Sequence, residues 1–279
     1  MPHWTDFGVW QAEDIHWDRF DSSRVDPDLV KLVKTASLVE HNAPVYAKYM
    51  CNVFHDDPGF AKLARDWADE EVKHGKTLAR YAKLADPEFD FDTAFKRYTD
   101  GFQVPVEVSE SVRGSLTGEI LARCVVETGT SSHYTAIRRV TNEPVLEELC
   151  RNLAADELRH YKTFWEFSKL LREKEGIGLV KRAQVVINRV AEAQDEELAY
   201  AFHTANEKKS GGFNHKRSNE AYAGHLYKLY PPYLVERFVA MLLNVIGLKP
   251  HGWLSQRISR LVYRKMQKRA RRFAAGQPA

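Results

Sequence analysis

The chain has 279 residues, of which 44% are hydrophobic and 28% charged, and this composition describes a globular protein with a sizeable core. Glycine and proline are sparse at 15 and 11, which favours helices. The net charge of +3 is unevenly placed: Trp253 to Phe273 holds eight Lys or Arg and no acid, so the remainder, +3 less those eight, is net −5. In chain order, Asp26-Pro27 reads as a helix start, with Asp as cap and Pro in the first turn. A first helix is expected from Asp28 to Phe54, kinked at Pro44. A second runs from Pro58 to Leu84. A short crossover helix spans Asp92 to Phe102 and is closed by Pro105. A third long helix covers Val106 to Val140 and a fourth Pro144 to Lys174. A fifth follows to Asn206, then a mobile loop at 207–214. Three shorter helices complete the chain, split by Pro231-Pro232 and by 247–252. No stretch alternates like a strand. The fold class expected is all-α, a four-helix bundle of ferritin-like layout with extra C-terminal helices. The divisions are an N-terminal extension at 1–25, the bundle at 26–206 and a C-terminal extension at 207–279.

Three scattered cysteines, Cys51, Cys124 and Cys150, read as buried free thiols in a reducing compartment. The N-terminal residues contain acids and no apolar run, unlike a signal peptide. The most apolar stretch, FVAMLLNVIGL, is far shorter than the ~20 residues of a membrane span.

One phrase occurs twice. EEVKHGKT starts at Glu70 and DELRHYKT at Asp156. Each holds a Glu and a His at i and i+3, Glu71 with His74 and Glu157 with His160, on one helix face. Chance alone supplies one such pair, and Glu13 with His16, in a polar segment without an apolar helical frame, is read as that accident. The other two pairs sit on apolar faces. Around Glu71 lie Ala64, Ala68, Gly75 and Leu78; around Glu157 lie Cys150, Leu153, Ala154, Tyr161 and Phe164. A buried carboxylate must be paired, protonated or metal-bound. Each pair also has a lone acid upstream on an apolar face, Glu40 and Glu127. Two helices giving one Glu each and two giving Glu-x-x-His is a recipe for a two-metal site in a bundle. Four carboxylates and two imidazoles suit iron or manganese better than zinc.

These segments resemble those of soluble acyl-carrier-protein desaturases, members of the ferritin-like di-iron group. WADEEVKHG looks like their W-T-A-E-E-x-R-H-G helix and LAADELRHYKTF like their A-A-D-E-x-R-H-E-x-x-Y helix. LVEHNAPVY is similar to their first-ligand segment, E-x-x-L-P-x-Y. The resemblance covers about 28–200. It implies Glu40, Glu71, His74, Glu127, Glu157 and His160 as metal ligands, and Thr130 as a catalytic threonine beside the oxygen-binding side. It implies further that Asp156 orients His74 and that Glu70 orients His160. The cofactors implied are two iron ions, or a manganese–iron pair, with O2 as co-substrate. The part after residue 200 has no counterpart, and carrier-protein recognition is not carried over. Rubrerythrins often append a Cys-x-x-Cys module that is absent here, and ribonucleotide reductase small subunits have a radical tyrosine where this chain has Leu78.

Other residues have plainer readings. Gly75, Gly114, Gly118 and Gly129 fall inside helical patterns, each costing about 1 kcal/mol against Ala. They serve close packing, or at Gly75 and Gly129 leave room for oxygen and substrate. Trp67, Tyr134 and Tyr161 read as core, and His41 and His133 as non-ligands. From 253 to 273, Leu254, Ile258, Leu261, Val262 and Met266 form an apolar stripe opposite Arg257, Arg260, Arg264, Lys268 and Arg271. That pattern fits a membrane surface or acidic partner, or a docked terminal helix with a solvated basic face.

The function expected is an O2-activating oxidoreductase, a desaturase or hydroxylase, acting on a fatty-acyl or lipid chain. Its electrons come from an external donor of ferredoxin or reductase type, because no flavin, nicotinamide or iron–sulfur motif is visible. The sequence leaves open a ferroxidase or peroxide scavenger and a non-catalytic metal- or lipid-binding bundle. A long apolar cavity at the site separates the first from the second. The expected location is cytoplasmic, peripheral on the inner membrane face, with a homodimer open and no nucleic-acid partner.

Overall fold

The computed structural model describes residues 9–192, 196–207 and 212–276. Those residues form an all-α bundle with no strand among them. Asp26 caps the first helix, α1 (Pro27–His41), by accepting from Asp28 N, with Pro27 in its first turn. The expected helix over 28–54 is in fact two. Pro44 lacks an N–H and clashes with the carbonyl four residues back, that of Glu40. The chain breaks at Asn42 and resumes as α2 (Ala43–Val53). The break leaves Glu40 in the last turn of α1.

Asp57 caps α3 (Pro58–Ala85) and Asp90 caps the crossover helix α4 (Phe91–Gly101). The third long helix begins ten residues later than expected. Gly114 has φ +76°, a left-handed conformation, and lies outside any helix. Ser115 then caps α5 (Leu116–Val140) by accepting from Gly118 N. The Ser- and Gly-containing run before it is turn chemistry that the helical reading over 106–115 passed over. The buried carboxylate of Glu143 caps α6 (Pro144–Glu175). The expected fifth helix is also two, α7 (Leu179–Glu192) and α8 (Glu197–Asn206). Part of the loop expected at 207–214 lies outside the described residues. Three helices follow as expected: α9 (His215–Tyr227), α10 (Pro232–Ile246) and α11 (Trp253–Ala274).

The bundle consists of two pairs, α1 with α3 and α5 with α6, which meet through α3 and α6. The C-terminal helices are packed onto it: α8 lies on α1, α10 on α5, and α11 on α9 and α10. The N-terminal segment is anchored too. Trp10 and Ile15 are buried members of the core. Three short 3-10 turns carry this segment, so its anchors show no 3.6-residue period. Cys124 and Cys150 are buried free thiols, whereas Cys51 is only half-buried.

The helical glycines divide by surroundings. A Cβ on Gly75 would stand 2.6 Å from His41 N and 2.9 Å from His41 Cα, so α1 and α3 touch through backbone there. A Cβ on Gly129 would meet nothing within 4 Å. Gly75→Ala is therefore expected to destabilise the protein by about 1–3 kcal/mol through overpacking, and Gly129→Ala to gain up to about 1 kcal/mol from helix propensity. Chemical denaturation of the two variants checks this, and equal midpoints would contradict the packing argument.

Candidate metal centre

The four central helices bring six side chains together at mid-bundle. Glu40 comes from α1, Glu71 and His74 from α3, Glu127 from α5, and Glu157 and His160 from α6. All six are buried. Two overlapping groups could each hold a metal ion: Glu40, Glu71, His74 and Glu157, and Glu71, Glu127, Glu157 and His160. Within each group, ligand atoms lie within 4.8 Å of one another. Glu71 and Glu157 belong to both groups and face both imidazoles. Glu71 Oε2 is 2.9 Å from His74 Nδ1, and Glu71 Oε1 is 3.1 Å from His160 Nδ1. Glu157 Oε1 is 3.2 Å from His74 Nδ1, and Glu157 Oε2 is 3.7 Å from His160 Nδ1. Glu40 stands on the His74 side only and Glu127 on the His160 side only.

Both imidazoles point Nδ1 inward and Nε2 outward. His74 Nε2 is 2.9 Å from Asp156 Oδ2, and His160 Nε2 is 2.8 Å from Glu70 Oε2. Each hairpin thus fixes the histidine of the other through the acid that precedes its own Glu. A carboxylate on Nε2–H holds the tautomer that leaves Nδ1 as a lone-pair donor. The outer acids are tied in turn to cations. Lys73 lies 3.0 Å from Glu70, and Arg159 bonds Asp156.

Sequence reading missed Trp10. Its Nε1 donates to Asp156 Oδ2 at 2.7 Å, and its ring stacks on His74 at 6.0 Å between centroids. The N-terminal segment therefore buttresses the centre. The available signal was a set of large apolar residues, Trp10, Ile15, Trp17 and Phe20, in a segment without a helical period. The segment's Glu13 and His16 form no metal group: Glu13 is exposed, and His16 Nδ1 pairs with Glu148 at 2.9 Å. Neither His41 nor His133 joins the groups. Trp67 is core, edge-on to Phe164 and beneath Arg123. Tyr161 is buried and reaches Asn244. Tyr134 is buried core, yet its hydroxyl bonds Glu40 Oε1. Thr130 Oγ1 donates to Glu157 Oε2 at 2.7 Å.

The electrostatics show what the donor set lacks. Burial and the neighbouring Glu71 and Glu157 charges push the Glu40 carboxyl far above its ordinary range. Burial pushes Glu127 up to about 8, with Glu71 and Glu157 adding and His160 opposing. For Glu71, burial is outweighed by His160 and His74, which hold it well down. For Glu157, burial and the Glu71 charge are outweighed by the same imidazoles. Burial would lower both histidines, but Asp156, Glu157 and Glu71 raise His74, and Glu71, Glu127, Glu157 and Glu70 raise His160. Protons therefore stand in for missing positive charge. Both Glu127 oxygens are buried without a hydrogen bond. A buried carboxylate without a hydrogen bond, among three others, fits a bound cation, and hard oxygen with imidazole donors suits iron or manganese.

Beside the centre lies a cavity of about 270 Å³. Glu40, Gly129, Thr130 and Tyr134 line it on the site's side. Val125, Val126, Leu226, Val235, Phe238, Val262 and Met266 make it largely apolar.

A family model describing fatty acid desaturases matches residues 12–193, and the chain belongs to that family. It is thus an oxidoreductase of desaturase or hydroxylase type. A search of the curated proteins found no match.

Metal binding must displace the protons on Glu127 and its neighbours. Because the folded-state pKa of Glu127 is raised, its proton is held below about pH 8 and given up above it. Mn2+ affinity is therefore expected to rise between pH 6 and 8 by about tenfold per unit for each proton displaced. Calorimetry in buffers of different ionisation enthalpy counts the protons released, and a count of zero would contradict the assignment. Glu127→Gln should flatten the dependence by one proton.

Proposed function

We propose that this protein is an O2-dependent di-iron oxidoreductase that desaturates or hydroxylates a fatty-acyl or other lipid chain. The single observation that carries this reading is the apolar cavity that meets the carboxylate–histidine centre at Glu40 and Thr130. Iron or peroxide as substrate has no use for such a cavity; an alkyl chain does. Residues Glu40, Glu71, His74, Glu127, Glu157 and His160 would hold the two metals, iron with iron or with manganese. When bound, the metals supply the activation of O2 needed to oxidise an unactivated C–H bond. The protein's own part is positional. The apolar wall strips water from the chain and aligns it against the centre. Gly129 leaves the wall open where a larger residue would close it. Thr130 Oγ1, anchored on Glu157, can hold or pass a proton at the boundary of centre and cavity. Trp10, Asp156 and His74 form a hydrogen-bonded line on the other side, which suits electron entry from an external donor.

The test is product analysis. Purified protein with a reductase system, O2 and long-chain acyl substrates is expected to yield an alkene or alcohol by mass spectrometry. Gly129→Phe should lower that yield by about a hundredfold through displacement of the chain, at unchanged metal content. Full activity in this variant would remove the cavity from the mechanism.

The basic tail supports a reading of where the enzyme works. Ile258, Val262 and Met266 of the expected stripe pack against the core, and Val262 and Met266 line the cavity. Trp253, Leu254 and Leu261 stay exposed, at 70%, 40% and 65%. The exposed face also carries Arg257, Arg260, Arg264, Lys265, Lys268, Arg271 and Arg272. Seven cations around three apolar side chains suit an anionic lipid surface, where each cation adds about 1 kcal/mol. No helix of the described residues is long and apolar enough to cross a membrane. The protein is expected to sediment with anionic liposomes at low salt. Arg260→Glu with Arg264→Glu and Lys268→Glu should abolish this without loss of metal. Sedimentation unchanged by the triple substitution would rule out the surface.

A further inference from the structure

The cavity has a second end. Val126 of α5, Arg189 and Glu192 of α7, and Glu197 of α8 line it there, and the same four residues line an adjoining groove of about 630 Å³. They form the neck between the two spaces. The acids at this neck are already engaged. Arg113 holds both oxygens of Glu192, each at 2.6 Å. Glu197 Oε1 accepts from Tyr46 at 2.6 Å and from Tyr98 at 2.8 Å. Arg123, which also lines the groove, stacks on Trp67 and approaches Glu127 at 3.9 Å.

Arg189 differs from these. It makes no hydrogen bond or ion pair with any described residue. Burial holds its pKa below the usual guanidinium range; Glu197 opposes this, and Arg123 and Arg113 add to it. A partly desolvated guanidinium that feels the charges of Glu192 and Glu197 but gives its N–H donors to neither is left with open hydrogen-bonding capacity that a further oxyanion can complete. Its planar fork matches a carboxylate or a phosphate oxygen pair in two parallel hydrogen bonds.

Building on the acyl-chain reading above, we propose that Arg189 anchors the anionic head group of the substrate at the cavity neck, with the alkyl chain running inward past Val126 toward Glu40 and Thr130. The shared chemistry is an oxyanion at the outer end of a ligand that carries an acyl chain. It comes either from the carboxylate of a free fatty acid or from the phosphate of a phosphopantetheine thioester. Arg189 is on this account a specificity-determining residue, distinct from the six side chains of the metal centre.

The experiment is calorimetric binding to the full-length protein as purified, kept anaerobic so that no ligand is consumed. The probes are dodecanoate, dodecanol and S-dodecanoyl phosphopantetheine. Wild type is expected to bind one of the two anionic probes at least about tenfold tighter than dodecanol, as a charge-assisted bidentate pair provides. Whichever probe gains identifies the source of the anion. In Arg189→Gln that preference should fall to within about twofold, while dodecanol binds as it does to wild type and shows the cavity intact. Arg189→Lys should recover part of the preference. Equal binding of all three probes by wild type would overturn the anchor and leave the acyl-chain reading standing. A preference retained in Arg189→Gln would do the same. Failure of every probe to bind wild type would overturn the acyl-chain reading itself.

Discussion

Four carboxylates buried around one pair of imidazoles dominate this molecule. Such a cluster is among the least favourable things a protein interior can contain unless positive charge accompanies it. The fold meets the demand in layers. Innermost, two imidazoles face Glu71 and Glu157. Outside them, Asp156 and Glu70 fix the imidazoles, and Lys73 and Arg159 neutralise those outer acids. Glu40 and Glu127 are left over. Burial and the neighbouring charges raise the pKa of both carboxyls, the direction expected where positive charge is missing.

The same constraint explains the repeated phrase. A centre shared by two hairpins needs each hairpin to deliver a ligand pair inward and a supporting acid across. Within one helix, positions i and i+3 share a face, and the residue just before points aside. Glu70 and Asp156 occupy that sideways position, which is why each reaches the opposite histidine. Close contact of the hairpins is part of the design: Gly75 brings α3 onto the end of α1, where Glu40 sits. The break at Asn42 serves the same end, since Pro44 forces it and the ligand-bearing turn ends there.

Much of this could be read in advance because it is periodic. The Glu–His pairs recur at helical spacing on apolar faces, and Asp26 is a side-chain cap followed by a helical pattern. What escaped was aperiodic. The interval 106–115 looked helical by composition, yet Gly114 and Ser115 carry a left-handed turn and a cap. Trp10 lies in a segment of 3-10 turns where no repeat flags a buried position. Its contact with Asp156 spans 146 residues of sequence. The dual nature of α11 was likewise hidden. One apolar stripe in sequence divides into Ile258, Val262 and Met266 facing inward and Leu254 and Leu261 facing out, a division set by what α9 and α10 present to it.

The site lies in one part of the chain, and its cavity straddles two. All six centre residues fall within the stretch 12–193 that matches the desaturase family. The cavity lies only partly within it. One wall is α1 and α5, but Glu197, Leu198, Tyr222, Leu226, Tyr230, Val235, Val262 and Met266 on the other wall all lie beyond it. Oxidation chemistry needs a fixed arrangement of ligands, which any change in α1, α3, α5 or α6 would disturb. Choice of substrate needs only a wall of suitable shape with a charge at the right end. Helices packed over the bundle from outside can vary that wall without touching the ligands. Arg189 stands at the seam, on the last helix of the matched stretch, and lines the cavity together with Glu197 of the first helix after it.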